Sequence, residues 1–318
     1  MIEAEEESRL VRVTAIRDVA RDVRSYDLSP ADGRGLPPFS PGSHIDVHLP
    51  AGQVRQYSLC GDPAQPATYR IAVKKEEGGR GGSLDMHRGV EVGSALGIAG
   101  PRNHFPLAAD ARRHLLIAGG IGVTPVYAMI LQLQAQGADW GLHYCARSRE
   151  HAAFYDELRA LGGDRVIAHF SETPTLDVAE LLREQPQGTH VYCCGPQGLM
   201  KAVETAAAHW SAGHVHFEWF AAPEVAWPPN QPFEVELRRS GRTFTIPADR
   251  SILHVLREHG VDVPSSCEEG VCGTCETAVL EGRPQHRDVL LTPEERAANR
   301  TMMICISRAD SPRLVLDL

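Results

Sequence analysis

Four cysteines constrain this chain more than any other feature in it. Cys267, Cys272 and Cys275 follow one another as C-x4-C-x2-C, and Cys305 comes later inside the apolar run Met302-Met303-Ile304-Cys305-Ile306. Three thiolates on one tight loop and a fourth from a distant element is the plant-type spacing for a 2Fe-2S cluster. Iron requires deprotonated sulfur, so all four positions must be Cys. Gly270 and Gly273 let the backbone wrap closely enough for N–H groups to reach the sulfurs and tune the potential. Three other readings compete. A structural zinc site pairs two short Cys hooks, whereas here one hook faces a lone Cys. A disulfide framework would crowd three Cys into nine residues of a chain with no sign of secretion. Inert buried thiols suit one Cys but not this spacing. The cluster is the expected occupant.

The chain has 318 residues, too many for one ordinary core and enough for two or three domains. A net charge of -9 and a pI near 5.9 give nucleic-acid binding no electrostatic support. The N-terminal Met1-Ile2-Glu3-Ala4-Glu5-Glu6-Glu7 lacks the basic and apolar regions of a signal peptide. The longest apolar run, Leu115 to Leu133, is broken by Gly119, Gly120, Gly122 and Pro125, so no membrane span is expected. Cys60, Cys145, Cys193 and Cys194 are scattered, which places the chain in a reducing cytoplasm.

Three kinds of local pattern succeed one another. Residues 8 to about 107 hold six short strand-like runs (Leu10–Ile16, Val23–Leu28, His44–Leu49, Val54–Cys60, Tyr69–Lys74 and Val90–Ile98) separated by Gly, Pro and Asp. They predict an antiparallel β-barrel, residues 1–108. From His114 strands alternate with helices: strands at 114–118, 141–146, 165–170, 190–194 and 215–219, and helices up to about 136 and around 151–160, 176–184 and 197–209. This predicts an α/β domain with a parallel sheet, residues 109–222. Residues 223–232 carry Pro223, Pro228, Pro229 and Pro232 and read as a linker to a third domain, 233–318. That domain opens with a hairpin turning at Ser240-Gly241, then a helix over 251–259 ended by Gly260, and later the capping box Thr292-Pro293-Glu294-Glu295.

Several motifs point to cofactors. Arg55-Gln56-Tyr57-Ser58 on a barrel strand can set an aromatic ring and a hydroxyl against a flat ligand while Arg55 meets a phosphate; an ordinary exposed strand would look the same. Arg80-Gly81-Gly82-Ser83 reads as an anion nest or, more blandly, as a flexible hairpin. Gly119-Gly120-Ile121-Gly122-Val123-Thr124-Pro125 follows a buried strand and opens a helix, the context for pyrophosphate binding, although it is not G-x-G-x-x-G. Cys193-Cys194-Gly195-Pro196 ends another strand where open α/β sheets place ligands. Cys193 reads as a buried core residue and Cys194 as a site residue. The fifteen His have no metal-ligand spacing and are read as surface or core residues. Arg147-Ser148-Arg149 could meet the 2′-phosphate of NADPH or simply face water.

Together Arg55-x-Tyr57-Ser58, the 119–125 loop, Cys194-Gly195-Pro196 and the C-terminal cysteine pattern resemble phthalate dioxygenase reductase and its relatives, the reductase partners of Rieske-type aromatic oxygenases and O-demethylases. The resemblance spans the whole chain. It implies an antiparallel β-barrel flavin domain, an α/β parallel-sheet nucleotide domain and an α+β plant-type ferredoxin domain of β-grasp fold. It implies FMN held by Arg55, Gln56, Tyr57, Ser58, the Ala72-Val73-Lys74 strand, and Arg80, Gly81, Gly82 and Ser83. It implies NADH across Gly120, Ile121, Gly122, Val123 and Thr124 and across Cys194, Gly195 and Pro196. Thr124 and Cys194 would line the hydride-transfer contact, with Phe220 packed on the isoalloxazine. The metal ligands would be Cys267, Cys272, Cys275 and Cys305.

The chemistry supports a flavin independently. Nicotinamide delivers two electrons at once and a 2Fe-2S cluster accepts one, so a chain holding both needs a carrier stable when half-reduced. Plant-type clusters lie near roughly -400 mV and Rieske centres at roughly -150 to +300 mV, so delivery to a Rieske acceptor runs downhill. The expectation is a cytoplasmic, monomeric, NADH-dependent reductase of a terminal Rieske-type oxygenase, with neither nucleic acid nor membrane as partner. Glu268, Glu269 and Glu276 are candidates for the face shown to that partner. A self-sufficient diaphorase or ferric/quinone reductase, or a bare one-electron carrier, are the alternatives.

Overall fold

The computed structural model describes residues 8–65, 67–172, 175–211, 213–222 and 225–318. The acidic segment 1–7 and Pro223, at the start of the expected linker, lie outside them. The chain divides into two compact units, one ending at Glu218 and the other running from Trp219 to Leu318.

The first unit opens with β1 (Arg9–Ala20), β2 (Val23–Pro30), β3 (Ser43–His48), β4 (Val54–Ser58), β5 (Tyr69–Lys74), helix α1 (Gly82–Gly89) and β6 (Ala95–Asn103). The six strands form one antiparallel sheet in the order β4-β3-β6-β1-β2-β5. The sheet curls on itself, and a bridge between Leu59 and Ile71 links its two edge strands. Alternate residues point inward, so Val11, Val13, Tyr26, Leu28, Ile45 and Val47 form its core. One alternative falls away and one local expectation is corrected. Gly82 and Ser83 begin α1 and do not lie in the flexible hairpin weighed against the anion nest. Residues 90–94 are not strand: Val90 ends the helix, and the Glu91 N–H donates to Ser94 Oγ in a turn before β6 begins.

The same unit continues with β7 (Arg113–Gly119), α2 (Val123–Ala135), β8 (Asp139–Ala146), α3 (Tyr155–Gly162), β9 (Val166–Phe170), α4 (Val178–Arg183), β10 (Thr189–Cys194), α5 (Gln197–Ala206) and β11 (Val215–Glu218). The strands form a parallel sheet in the order β11-β10-β7-β8-β9. The chain winds outward from β7 through β8 and β9, then returns to lay β10 on the other side of β7. The strand order therefore reverses between β7 and β10, the place where such sheets open a ligand crevice at their carboxyl ends. The boundary expected near residue 108 separates two sheets of one compact unit. The reason is a shared core, in which Val23, Cys60, Ala72 and Phe105 from the barrel pack with Leu116, Val126 and Met129.

The second unit contains β12 (Phe233–Leu237), β13 (Thr243–Ile246), α6 (Ile252–Glu258), β14 (Glu276–Glu281), β15 (Pro284–Gln285), α7 (Pro293–Ala298), β16 (Thr301–Met303), β17 (Arg308–Ala309) and β18 (Arg313–Leu316). Its mixed sheet runs β13-β12-β18-β14-β16, with β12 parallel to β18, and α6 packs into the same core through Ile252, Leu253, Val255 and Leu256. This is a β-grasp fold. Helix boundaries follow local chemistry: Ser251 Oγ accepts from the His254 N–H to start α6, and α7 carries both bonds of its capping box between Thr292 and Glu295. No helix among the described residues is long and apolar enough to cross a membrane.

Candidate active site and metal centre

β4 carries the first motif. The Arg55 guanidinium donates to Val54 O (2.8 Å), to Gln53 Oε1 (3.0 Å) and to Arg80 O (3.1 Å), which ties the strand to the 80–83 loop. A Cβ built on Gly82 would stand 2.7 Å from Arg55 Cγ, so the arginine stem lies directly over the first residue of α1. A guanidinium beside a helix N-terminus is a fitting cradle for a phosphate, and only glycine leaves room for it. Other members of the set are committed elsewhere. Gln56 Nε2 donates to the buried Asp46 (2.6 Å), which is also paired with Arg102 (2.7 Å), and Ser83 Oγ accepts from the Glu76 N–H (3.0 Å). Ala72 and Val73 are buried in β5, and Lys74 pairs with Glu76 at its end. Tyr57 is half-buried, and burial raises its hydroxyl well above the ordinary value.

Across the switch point the loops after β7 and β10 touch backbone to backbone. A Cβ on Gly122 would stand 2.3 Å from Cys194 O and 2.5 Å from its carbonyl carbon, and one on Gly119 would stand 2.5 Å from Pro196 Cδ. Glycine is therefore required by the approach of the Cys194-Gly195-Pro196 turn, a reason that only the fold reveals. Thr124 is buried at the start of α2, and its Oγ1 donates to Ile121 O (3.0 Å), closing the turn that presents Gly120 and Ile121. These loops line a cleft of about 690 Å³ together with Arg147 and His169 from the parallel sheet and Val23 and Lys74 from the barrel. That volume lies within the range of small-molecule and cofactor sites, about 300–1,000 Å³.

One residue passed over in the motif reading stands beside Cys194. Glu218 ends β11 in register with Cys194, and its carboxylate accepts from Ser58 Oγ at 3.4 Å. Burial pushes the Glu218 carboxyl up to about 8, against a smaller lowering by the Ser58 hydroxyl. Cys194 is fully buried, and its thiol is raised well above the usual range, chiefly by burial and then by Glu218. Ser58, Cys194 and Glu218 thus bring the barrel motif and the parallel-sheet motif to one point. The available signal was an acidic residue closing the strand that lies beside the Cys-Gly-Pro turn. Cys193 is buried against Met200, as a core residue should be. Phe220 belongs to the second unit and is 44% exposed.

In the second unit the four motif cysteines are buried and free of disulfides. Their thiols form one connected set: Cys267 is within hydrogen-bond reach of Cys272 and Cys305, and Cys305 of Cys275. Backbone N–H groups also face the sulfurs, that of Glu269 reaching Cys267 Sγ at 3.3 Å and that of Cys267 reaching Cys272 Sγ at 3.5 Å. These bonds pull Cys267 and Cys275 below the ordinary thiol range, Cys267 first through Cys272 and Cys275 first through Cys305. Four buried thiols gathered from a loop and a distant strand end, with N–H donors turned toward sulfur, suit an iron–sulfur cluster and no ordinary hydrophobic core.

The remaining candidates separate. Arg149 pairs with Asp156 (2.7 Å) and lies over the Tyr155 ring, whereas Arg147 lines the cleft. Glu268 pairs with Arg257 (2.7 Å). The histidines are less scattered than the sequence suggests: His143 bonds His169 (3.0 Å) and His190 bonds His216 (3.1 Å) across neighbouring strands.

Comparison with known proteins agrees with this geometry. Residues 235–310 match the model of the 2Fe-2S iron-sulfur cluster binding domain, and residues 101–216 match that of the dimethylamine monooxygenase subunit DmmA-like N-terminal domain. The chain is 48% identical to a vanillate O-demethylase oxidoreductase of Pseudomonas putida, covering 96% of this chain and 98% of the relative. It is 44% identical to the phthalate dioxygenase reductase of Burkholderia cepacia, covering 97% of each. Among solved structures, phthalate dioxygenase reductase matches with a TM-score of 0.74 and 42% identity over 98% of both chains. An intact type IV self-sufficient cytochrome P450 monooxygenase matches with a TM-score of 0.90 and 43% identity over 98% of this chain, which spans 41% of that larger one. Barrel, parallel sheet and β-grasp unit, with both sets of motifs in place, make this chain a member of the phthalate dioxygenase reductase family, the iron–sulfur oxidoreductases that form the reductase components of oxygenase systems.

Proposed function

We propose that the chain takes electrons from NADH and delivers them to a Rieske-type aromatic oxygenase or O-demethylase, working as a cytoplasmic monomer. The observation that carries the reading is the backbone contact of the Gly122 loop with the Cys194 turn, two loops whose Gly120, Ile121 and Pro196 line the 690 Å³ cleft, in a chain whose second unit gathers four buried thiols. FMN held on the barrel would supply the conversion of a two-electron donor to single electrons, and Cys267, Cys272, Cys275 and Cys305 would hold a 2Fe-2S cluster as the one-electron outlet. The residues contribute position and charge. Arg55 and the start of α1 would hold the FMN phosphate, and Tyr57 and Ser58 would face its ring. Gly120 to Thr124 and Cys194 to Pro196 would seat the nicotinamide nucleotide by backbone contact, so that alignment supplies most of the rate. Glu218, protonated near neutral pH, would hold a proton on its carboxyl while Oε2 accepts from Ser58 Oγ.

The acceptor class rests on the 48% identical O-demethylase oxidoreductase and on the downhill step from a plant-type cluster to a Rieske centre. The cytochrome P450 match favours a second reading, in which the acceptor is a haem oxygenase. The test is anaerobic addition of NADH to purified protein, then presentation of a Rieske oxygenase, a haem oxygenase or ferricyanide. Bleaching of flavin and iron–sulfur absorption, release of FMN on denaturation, and fast turnover with the Rieske component alone are expected. Fast turnover with ferricyanide alone would leave a diaphorase; absence of bleaching would leave a carrier.

A further inference from the structure

We infer that Arg147 reads the 2′ position of the adenosine ribose and that the chain accepts NADPH as well as NADH; the inference rests on the cleft being the nicotinamide-nucleotide site. In open α/β sheets the residue after the second strand, some twenty or more positions past the glycine loop, decides between the two nucleotides. A carboxylate there binds the free 2′-hydroxyl and repels a 2′-phosphate, whereas a nearby arginine accommodates it. In this chain the second strand is β8, which ends at Ala146, and the next residues are Arg147, Ser148 and Arg149. No acid stands among them. Of the acids close by in sequence, Glu150 pairs with Arg21 at 3.6 Å and Asp156 with Arg149 at 2.7 Å; the two carboxylates that line the cleft, Asp22 and Glu76, are paired with Lys75 (3.4 Å) and with Lys74.

The three residues divide their work. Arg149 is spent on Asp156 and Tyr155, and Ser148 Oγ is bonded to His151 Nδ1 at 2.8 Å. Arg147 is exposed on the wall of the cleft and enters no ion pair among the described residues, while its backbone carbonyl is fixed by the Ser171 N–H at 3.2 Å. Its guanidinium is thus available in the cleft that His151, Ser171 and Thr175 also line. A planar cation with hydroxyl and imidazole neighbours is the donor set that takes a phosphate dianion.

The test compares kcat/KM for NADPH and NADH in the holoenzyme, with calorimetric titration of 2′,5′-ADP and 5′-AMP as a readout independent of turnover. The wild type is expected to use NADPH within about a hundredfold of NADH and to bind 2′,5′-ADP more tightly than 5′-AMP. Arg147→Ala should lower the NADPH-to-NADH ratio about tenfold or more and abolish the preference for 2′,5′-ADP, the scale of one lost charge-assisted bond. Arg147→Lys, which keeps the charge, should retain most of the ratio. An NADPH rate lower still in the wild type, or an unchanged ratio in Arg147→Ala, would overturn the inference. Failure to use NADH at all would instead remove the nucleotide site on which it rests.

Discussion

Gly122 offers the sharpest test of the nucleotide loop, because its surroundings are backbone and cannot swing aside. A methyl group there would stand 2.3 Å from Cys194 O and 2.5 Å from the carbonyl carbon, where ordinary contact begins near 3.4 Å. In Gly122→Ala the two loops must part by about 1.1 Å, the difference between those distances. A shift of about 1 Å in a site that works by alignment costs on the order of a hundredfold in rate. The strain itself should cost about 1–3 kcal/mol, the usual penalty for overpacking. The four thiols belong to the other compact unit, so iron content should stay as in the wild type. Stopped-flow mixing with NADH under anaerobic conditions, alongside iron analysis, reads both. Flavin reduction within about threefold of the wild-type rate would refute the reasoning, since it would mean the loops part without disturbing the hydride geometry. Loss of iron together with the rate would show a general folding defect instead.

Three further outcomes are expected. Glu218 has its carboxyl raised from 4.5 to about 8, so the folded state keeps a proton that the unfolded chain gives up; stability is full below about pH 4.5 and falls as pH rises toward 8, by at most about 5 kcal/mol and by less where water reaches the carboxyl. Glu218→Gln should flatten that slope in denaturant titrations at pH 5.5 and 8.5, and an unchanged slope would reassign the proton. Cys305→Ala should strip most of the iron–sulfur absorption while flavin reduction by NADH persists; retention of the full visible spectrum would remove Cys305 from the ligand set. Thr292→Ala removes one half of the capping box on α7 and should destabilise the β-grasp unit by about 1 kcal/mol in chemical unfolding, whereas no change would mean that α7 is held by other contacts.

The four cysteines, the glycine loop and the Cys-Gly-Pro turn were legible in the sequence because each is a short local pattern with one chemical purpose. The order of strands and helices was legible for the same reason, since alternation and apolar runs record which faces are buried. Helix α1 was not, because Gly81 and Gly82 read as loop residues, and only the crossing Arg55 stem shows why glycine is needed at the first helical position. Nor was Glu218, which gains its meaning from Ser58, a residue of another sheet, 160 positions away.

The sequence alone therefore determined what the molecule can hold: sulfur enough for a cluster and backbone loops shaped for phosphates. Tertiary structure decided what those parts do to one another. It brought Gly122 against Cys194 and joined the barrel to the parallel sheet through one core. It also turned Arg149 away from the cleft while leaving Arg147 on its wall. Local patterns fix local geometry, whereas steric contact and burial between distant residues exist only once the chain has closed on itself.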